Sequence, residues 1–116
     1  MKISDLVFVG IKGSVVALDR STGQQVWTTH LKGIGFVNVV LEDRMIIASS
    51  AGEIFCLDPL TGNGLWQNPL KGFGRGLASI ATERNPGTGN LLLMAEQQRR
   101  EQAAAAAAAA GAASGA

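Results

Sequence analysis

The sequence is poor in the residues that build reactive or cross-linked sites: its 116 residues include one cysteine, one histidine and no tyrosine. With only Cys56, the chain cannot form a disulfide within itself, and the apolar residues around this position predict a small buried thiol rather than a reactive one. With only His30, it cannot form a metal site from several histidines, and we expect this histidine at the surface.

The sequence also lacks a strong charge of either sign and a long apolar run. Its formal net charge is +1 and its charged residues are scattered, which excludes a basic face for nucleic acid or for an anionic membrane. No stretch is long enough to cross a bilayer, and Leu6–Ile11 is too short for the apolar region of a signal peptide. We therefore expect a cytoplasmic protein that binds neither nucleic acid nor membrane.

One stretch of the sequence occurs twice. Residues 17–27 have the sequence Ala-Leu-Asp-Arg-Ser-Thr-Gly-Gln-Gln-Val-Trp, and residues 56–66 have the sequence Cys-Leu-Asp-Pro-Leu-Thr-Gly-Asn-Gly-Leu-Trp. Both copies begin in a segment rich in β-branched and apolar residues, which predicts a strand, and both end in a second short strand that carries the tryptophan. Each copy therefore predicts two strands joined by a tight turn.

The Asp-x-x-Thr-Gly part of each copy has the residues of such a turn. The carboxylates of Asp19 and Asp58 can accept hydrogen bonds from backbone N–H groups two or three residues later. Gly23 and Gly62 can take the positive φ that a bulge at this point of a hairpin requires. The two aspartates are thus predicted to cap turns rather than to act in catalysis.

The similarity between the two copies extends beyond the turn. Residues 6–36 align with residues 45–75 at an offset of about 39, which pairs Gly13 with Gly52 and residues 31–33 with residues 70–72. A period near 40 residues with several short strands in each unit is typical of the blades of a β-propeller.

The pattern Ala-x-Asp-x-x-Thr-Gly-x-x-x-Trp resembles the tryptophan-docking repeat of the PQQ-like (quinoprotein dehydrogenase-type) β-propellers, over roughly residues 5–82. The resemblance implies that each tryptophan packs between adjacent blades, near the small residue that opens the motif. The blade-docking residues that it implies are Ala17, Asp19, Thr22, Gly23 and Trp27 in the first copy and Cys56, Asp58, Thr61, Gly62 and Trp66 in the second.

The predicted fold is all-β, with about two four-stranded antiparallel blades and an alanine-rich C-terminal tail that is helical or disordered. Residues 77–82 are predicted as the inner strand of a third unit, and residues 91–94 as a further strand or the start of a helix. The predicted organisation is a propeller-repeat domain over residues 1–95, with repeats at about 6–36 and 45–75 and a partial third unit at 77–95, followed by a low-complexity tail over residues 96–116.

The resemblance also implies what an enzyme of this family needs, namely adjacent cysteines beside the quinone, oxygen ligands for a calcium ion and a catalytic aspartate. This chain has no adjacent cysteines, and its loop acids Glu42, Asp43 and Glu83 lack the convergent oxygen ligands of a calcium site. We therefore expect no cofactor, no metal and no catalytic residue.

Two arginines are candidates for a surface contact. Arg75 and Arg84 fall in neighbouring loops and could bind an anion or an acidic peptide; solvated charge is the alternative. The glycines beside Arg75 repeat with the blades and precede no helix, so they are predicted to connect blades rather than to bind phosphate.

Two blades leave two apolar faces open, and repeat proteins usually need at least about three units. We therefore expect self-association, in which residues 77–82 complete a blade begun by residues 6–29 of the next chain. Three or four chains would then supply about six or eight blades of a closed ring, within the usual range. The resemblance implies a non-enzymatic scaffold that binds protein. Because two blades leave open faces, we expect its own copies as the first partner and another protein as a further one. The alternatives are a fragment or subunit of a quinoprotein (PQQ-dependent) dehydrogenase-like enzyme and a truncated propeller remnant.

Overall fold

The computed structural model describes residues 1–85 together with Arg99 and Ala103. The predictions for residues 91–94 and for the alanine-rich tail lie outside the described residues, apart from these two positions. The described part is all-β, as predicted: after a short 3-10 helix at Ile3–Asp5 it contains seven strands in two antiparallel sheets. The strands are β1 (Leu6–Ile11), β2 (Ser14–Asp19), β3 (Gln25–His30), β4 (Val37–Glu42), β5 (Met45–Ser50), β6 (Glu53–Leu57) and β7 (Gly64–Asn68).

Each sheet follows the chain, with β1-β2-β3 in the first sheet and β4-β5-β6-β7 in the second. Two-residue turns join β1 to β2, β4 to β5 and β5 to β6. Both central residues of each turn have positive φ, which is the geometry that matches the twist of a hairpin. The turn between β4 and β5 is Asp43-Arg44.

The repeat in the sequence is also a repeat in strand pairing. Val7 pairs with Leu18 across β1 and β2, and Ile46 pairs with Leu57 across β5 and β6, at positions 39 residues later. Likewise Ala17 lies opposite Trp27, and Cys56 lies opposite Trp66. The first sheet therefore corresponds to β5-β6-β7, and β4 has no counterpart beside β1 among the described residues.

The core lies between the two sheets. Cross-strand partners share a face of a sheet, and one face of each sheet supplies the buried side chains. Burying each of the larger ones stabilises the fold by about 1.5–3 kcal/mol, although the ordering entropy offsets much of this. The members of the buried cluster are Val15 from the first sheet and Val37, Ile46, Ala48 and Leu57 from the second.

Residues 77–82 are not a strand, contrary to the prediction. They follow the second sheet and belong to no β-ladder within the described part of the chain. Their contacts are with β4 instead: the Asn38 side-chain amide donates to the Ala78 carbonyl at 3.1 Å, and Ile80 is 8% exposed. These contacts hold the segment against β4.

The bulge predicted at Gly23 and Gly62 lies further along the chain. Both glycines do have positive φ, at 76° and 79°. The ladder irregularity, however, falls between Ala17 and Leu18 and between Cys56 and Leu57, so that Val26 and Leu65 are the extra residues. Each glycine instead closes its turn by donating from its N–H to the carbonyl of the aspartate. The bulge lies next to the tryptophan and sets its position.

Candidate functional site at the faces of the sheets

Both repeated turns have a hydrogen bond from a backbone N–H to the carboxylate of the aspartate, and the first has one more from a hydroxyl. In the first, the backbone N–H and the hydroxyl of Ser21 donate to Asp19 Oδ1 at 2.8 and 2.7 Å. In the second, the backbone N–H of Leu60 donates to Asp58 Oδ1 at 2.8 Å. The bonds from Ser21 hold the pKa of the exposed Asp19 carboxyl below its usual value. Both aspartates are thus engaged in turn structure.

Each turn is closed in the same way by its other repeated residues. The N–H of Gly23 donates to the carbonyl of Asp19, and the N–H of Gly62 donates to that of Asp58, at 2.7 and 2.8 Å. The hydroxyls of Thr22 and Thr61 each accept from the backbone N–H two residues later, at 3.2 Å. The two turns therefore present nearly identical surfaces, the first at the edge of sheet one and the second at the edge of sheet two.

The second turn receives Trp27 from the first sheet. The indole Nε1 of Trp27 donates to the backbone carbonyl of Pro59 at 2.9 Å, and its ring lies 6.1 Å from that of Phe8. Thr29, two residues along the same face, donates through its hydroxyl to the carbonyl of Gly62 at 2.7 Å. The contact between the sheets therefore combines a polar connection at the turn with the apolar core beside it.

Only glycine fits at position 62 without displacing Trp27. A Cβ at this position would come 2.5 Å from Cε3 of Trp27, closer than any real contact, and its φ of 79° already disfavours other residues. Gly23 has the same conformation, with φ at 76°, but a Cβ there would meet nothing within 4 Å. The two turns thus differ only in that one is covered by a tryptophan and the other is not.

The second tryptophan has no such turn to cover. Trp66 is 49% exposed, and its indole N–H has no hydrogen-bond partner within the described chain. Ile47, Cys56 and Trp66 are cross-strand neighbours, so they share the face of the second sheet that points away from the first sheet. This face corresponds by the repeat to the face of the first sheet that carries Trp27. We call it the Trp66 face.

The first sheet has an open face as well. Val7 is 42% exposed, whereas Ile46, its counterpart 39 residues later, is 0% exposed. Val7 and Leu18 are cross-strand partners. Val9 and Val16 are also partners, and they lie on the same face two residues further along each strand. Their counterparts in the second sheet are covered by the first sheet. We call this surface, formed by Val7, Val9, Val16 and Leu18, the valine face.

A cluster of polar side chains holds the segment that follows the second sheet. The hydroxyl of Thr82 and the side-chain amide of Asn85 donate to Glu42 Oε2 at 2.6 and 2.7 Å. These hydrogen bonds, with a smaller contribution from the charge of Arg84, hold the pKa of the Glu42 carboxyl below its usual value. The cluster fixes residues 82–85 against the end of β4.

The structure does not bring the two candidate arginines together. Arg75 lies beside Gly52, at the turn between β5 and β6. Arg84 lies near the turn between β4 and β5, at the other end of β5, where it lines an open cleft of about 1020 Å³ with Arg20 and Arg44. The same cleft is lined by Leu6 and Phe8 of β1. The cleft therefore borders β1, which is an edge strand of the first sheet.

The remaining candidate groups show ordinary structural contacts. Cys56 is fully buried, which raises the pKa of its thiol. His30 is exposed, and its Nδ1 lies 3.1 Å from the hydroxyl of Ser14. Among residues 1–85 no group of three or more acidic, histidine or cysteine side chains could hold a metal ion. No helix in the described part of the chain is long and apolar enough to span a membrane.

Sequence reasoning missed two residues of the interface between the sheets and one that holds the segment after the second sheet. Phe8 and Thr29 lie on the Trp27 side of the first sheet, where period-two counting from Ala17 and Trp27 could have placed them. Asn38 could not have been found in this way, because its partner Ala78 is distant in sequence and belongs to a segment without a ladder.

Comparisons with known proteins agree with this architecture. The profile of the family described as "Outer membrane protein assembly factor BamB" matches residues 11–77, more than half of the chain. The solved structure titled "The crystal structure of BamB from Moraxella catarrhalis" is 27% identical in sequence and superposes with a TM-score of 0.54. The similarity covers 68% of this chain and 24% of that one, so the chain spans about a quarter of its relative. No curated protein matches the sequence. The resemblance to PQQ-like propeller repeats is thereby confirmed.

Proposed function

Because this chain belongs to the PQQ-like β-propeller repeat family described as outer membrane protein assembly factor BamB, we propose that it is a non-enzymatic interaction scaffold that assembles with its own copies into a closed propeller ring. The described chain supplies one complete four-stranded sheet and one sheet of three strands. A scaffold function is consistent with the description of the family as an assembly factor.

One observation supports self-assembly above the others. The first sheet lacks a strand beside β1 among the described residues, and residues 77–82 belong to neither of the two sheets of the described chain. If residues 77–82 of one copy pair with β1 of the next, each copy contributes eight strands, which is two four-stranded blades.

The geometry of residues 77–82 supports the same pairing. In an extended segment the N–H and C=O of one residue point to one side and those of the next residue point to the other. In the proposed pairing the carbonyl of Ala78 keeps its hydrogen bond from Asn38, and the backbone groups of Ser79 face the strand of the next copy. Ser79 is exposed and its side chain makes no contact that a substitution would break.

Open apolar faces also favour assembly over a lone chain. Trp66 and Val7 are large and exposed on opposite sides of the two-sheet body, where a propeller blade normally contacts its neighbours. Contacts of this kind join unlike surfaces, so they generate either a ring or an open filament. A blade count of six or eight, from three or four copies, is within the usual range for closed propellers.

A proline at Ser79 tests the proposal. Ser79→Pro removes the backbone donor that a new ladder would use and leaves the contact between Asn38 and Ala78 in place. We expect this variant to elute as a smaller species than the unmodified chain in size-exclusion chromatography, with an unchanged β-sheet signal in circular dichroism. The control, Ser79→Thr, keeps the donor and should elute with the unmodified chain. Equal elution of all three proteins would contradict strand exchange.

A further inference from the structure

The loop at residues 31–36, which joins the two sheets, packs against a hairpin turn of each sheet. Its Gly35 carbonyl accepts a hydrogen bond at 2.9 Å from the N–H of Gly13, in the turn between β1 and β2. Its Lys32 carbonyl accepts at 2.6 Å from the hydroxyl of Ser50, the last residue of β5. The loop therefore lies where β1 and β5 both end.

The loop at residues 70–75 is its counterpart after the second sheet. It packs on the turn between β5 and β6, because a Cβ at Gly52 would meet the carbonyl of Gly74. Since the loop at residues 31–36 contacts the end of β5 as well, the two loops lie at the same end of the strands. We call this end of the molecule, with its two hairpin turns, the loop end.

The tip of each loop is a large apolar side chain that is almost fully exposed. Ile34 is 86% exposed and Phe73 is 82% exposed, the highest values among the large hydrophobic residues of the described chain. The two residues occupy equivalent positions of the repeat, and each has a glycine on both sides. Exposed apolar side chains that lie together on a surface mark a contact with a partner or a membrane.

The fold also separates charges that are scattered along the sequence, where no basic face was expected. Lys12, Lys71 and Arg75 are exposed at the loop end. Lys32 lies there too, 3.3 Å from Glu53, whose carboxylate is the only one that residues 1–85 place at this end. The loop end is therefore basic.

The opposite end of the strands has the other sign of charge. It carries more carboxylates than basic side chains, since Lys2 and three arginines lie there with the remaining acids of residues 1–85. These acids are Asp5, Asp19, Glu42, Asp43, Asp58 and Glu83. The positive charge thus coincides with the two apolar tips and with no other part of the two-sheet body.

From this coincidence we infer that the loop end binds the surface of an anionic lipid bilayer. Ile34 and Phe73 insert between the headgroups, while Lys12, Lys71 and Arg75 lie against the phosphates. Basic side chains near such a surface each strengthen binding, and apolar side chains that leave water add to it. This inference does not depend on the proposed ring, which uses the edge of β1 and the faces of the sheets.

A bilayer fits the shape of this surface better than a protein does. Each tip projects from its own loop between two glycines, so the surface has two protrusions instead of a groove. A protein would need a separate apolar pocket for each protrusion, whereas a fluid interface closes around both. The adjoining positive charge complements anionic headgroups.

Co-sedimentation with lipid vesicles tests the inference on the unmodified chain. We expect binding to vesicles that contain phosphatidylcholine and phosphatidylglycerol in equal shares, at about 0.1 M salt. Binding should weaken at about 0.5 M salt and should be absent with phosphatidylcholine alone. Failure to bind the anionic vesicles would overturn the inference and would favour a protein as the occupant of the loop end.

A pair of double variants tests the apolar tips. Ile34→Ser/Phe73→Ser should weaken binding to the anionic vesicles by about tenfold or more, because two apolar side chains no longer leave water. The control, Leu41→Ser/Leu60→Ser, changes two leucines at the opposite end that are 43% and 44% exposed, and it should bind like the unmodified chain. Equal binding by the two variants would overturn insertion of the tips.

A second pair tests the charge at equal net charge. Lys71→Glu/Arg75→Glu reverses two charges at the loop end and should weaken binding by about tenfold or more. Arg20→Glu/Arg44→Glu reverses two charges at the opposite end and should retain binding to within about threefold. Equal losses in both variants would mean that net charge alone governs binding, which would overturn the inference. Circular dichroism should show the same β-sheet signal in all four variants, because each substituted side chain is exposed.

Discussion

The indole Nε1 of Trp27 donates a hydrogen bond to the carbonyl of Pro59 at 2.9 Å, across the boundary between the two sheets. The bond joins a strand of the first repeat to the turn of the second, 32 residues away. It gives the interface a fixed register, because the apolar core beside it would tolerate small sliding while a partly buried donor must find its acceptor.

The neighbouring hydrogen bond from Thr29 allows a matched pair of substitutions. Thr29→Val removes the hydroxyl that donates to Gly62 and preserves the shape, so we expect a loss of about 1 kcal/mol in the free energy of unfolding. Thr28→Val, one residue away on the opposite and exposed face, should change it by less than about 0.5 kcal/mol. Urea denaturation of both variants makes the comparison. Equal effects would show that the bond to Gly62 contributes nothing measurable.

The two turn glycines form a second matched pair. Gly62→Ala places a Cβ against Trp27 at a position that already has positive φ, and we expect a loss of about 3 kcal/mol. Gly23→Ala has the same backbone cost and no clash within the chain, so the expected loss is about 1 kcal/mol. The measurement is denaturation at a concentration low enough to keep single copies. The contact with Trp27 would be refuted by a Gly62→Ala variant as stable as Gly23→Ala.

Acid should weaken the attachment of residues 82–85. The pKa of the Glu42 carboxyl is lowered in the folded protein by the bonds from Thr82 and Asn85, so its stabilising contribution is complete above the ordinary value of 4.5 and is lost as the pH falls through the lower folded value. Asp19 acts in the same direction, with the lowering by Ser21 placing its window below 3.8. Thermal unfolding should be measured between about pH 3 and pH 7. The melting temperature of Glu42→Gln should fall less steeply with acid than that of the unmodified chain. An unchanged pH profile in this variant would contradict the role of the carboxylate.

The thiol of Cys56 should be inert in the folded chain. It is fully buried, and burial raises its pKa above the ordinary value of 9.0, so little thiolate is present near neutral pH. We expect a thiol-specific disulfide reagent to react with it only after unfolding in urea, with one equivalent per chain. The control is Cys56→Ala, which should show no reaction under either condition. Rapid reaction of the native protein would contradict the burial of this thiol.

The sequence was sufficient for features that depend on neighbouring residues. The turns at Asp19 and Asp58, the positive φ of Gly23 and Gly62 and the period of the repeat all follow from local chemistry, because a turn needs only its own four or five residues. The match to propeller repeats could likewise be predicted, since it depends on spacing that occurs twice in the same order.

What could not be predicted depends on partners distant in the chain. Residues 77–82 have the composition of a strand, but a strand exists only when another strand pairs with it, and the described chain supplies none. The placement of Arg84 beside Arg20 and Arg44, and of Glu42 under Thr82 and Asn85, likewise arises from packing between segments about 40 residues or more apart. Contacts between such distant segments leave no local pattern in a single sequence.

The account as a whole depends on whether copies of the chain complete one another. The most direct measurement is the solution mass of the purified, unmodified chain, by light scattering behind size-exclusion chromatography over a range of concentrations. We predict one dominant species of three or four copies of the 12.0 kDa chain, formed without larger aggregates. A cooperatively folded protein that keeps the mass of a single chain at every concentration would contradict the ring and every contact between copies that has been derived from it.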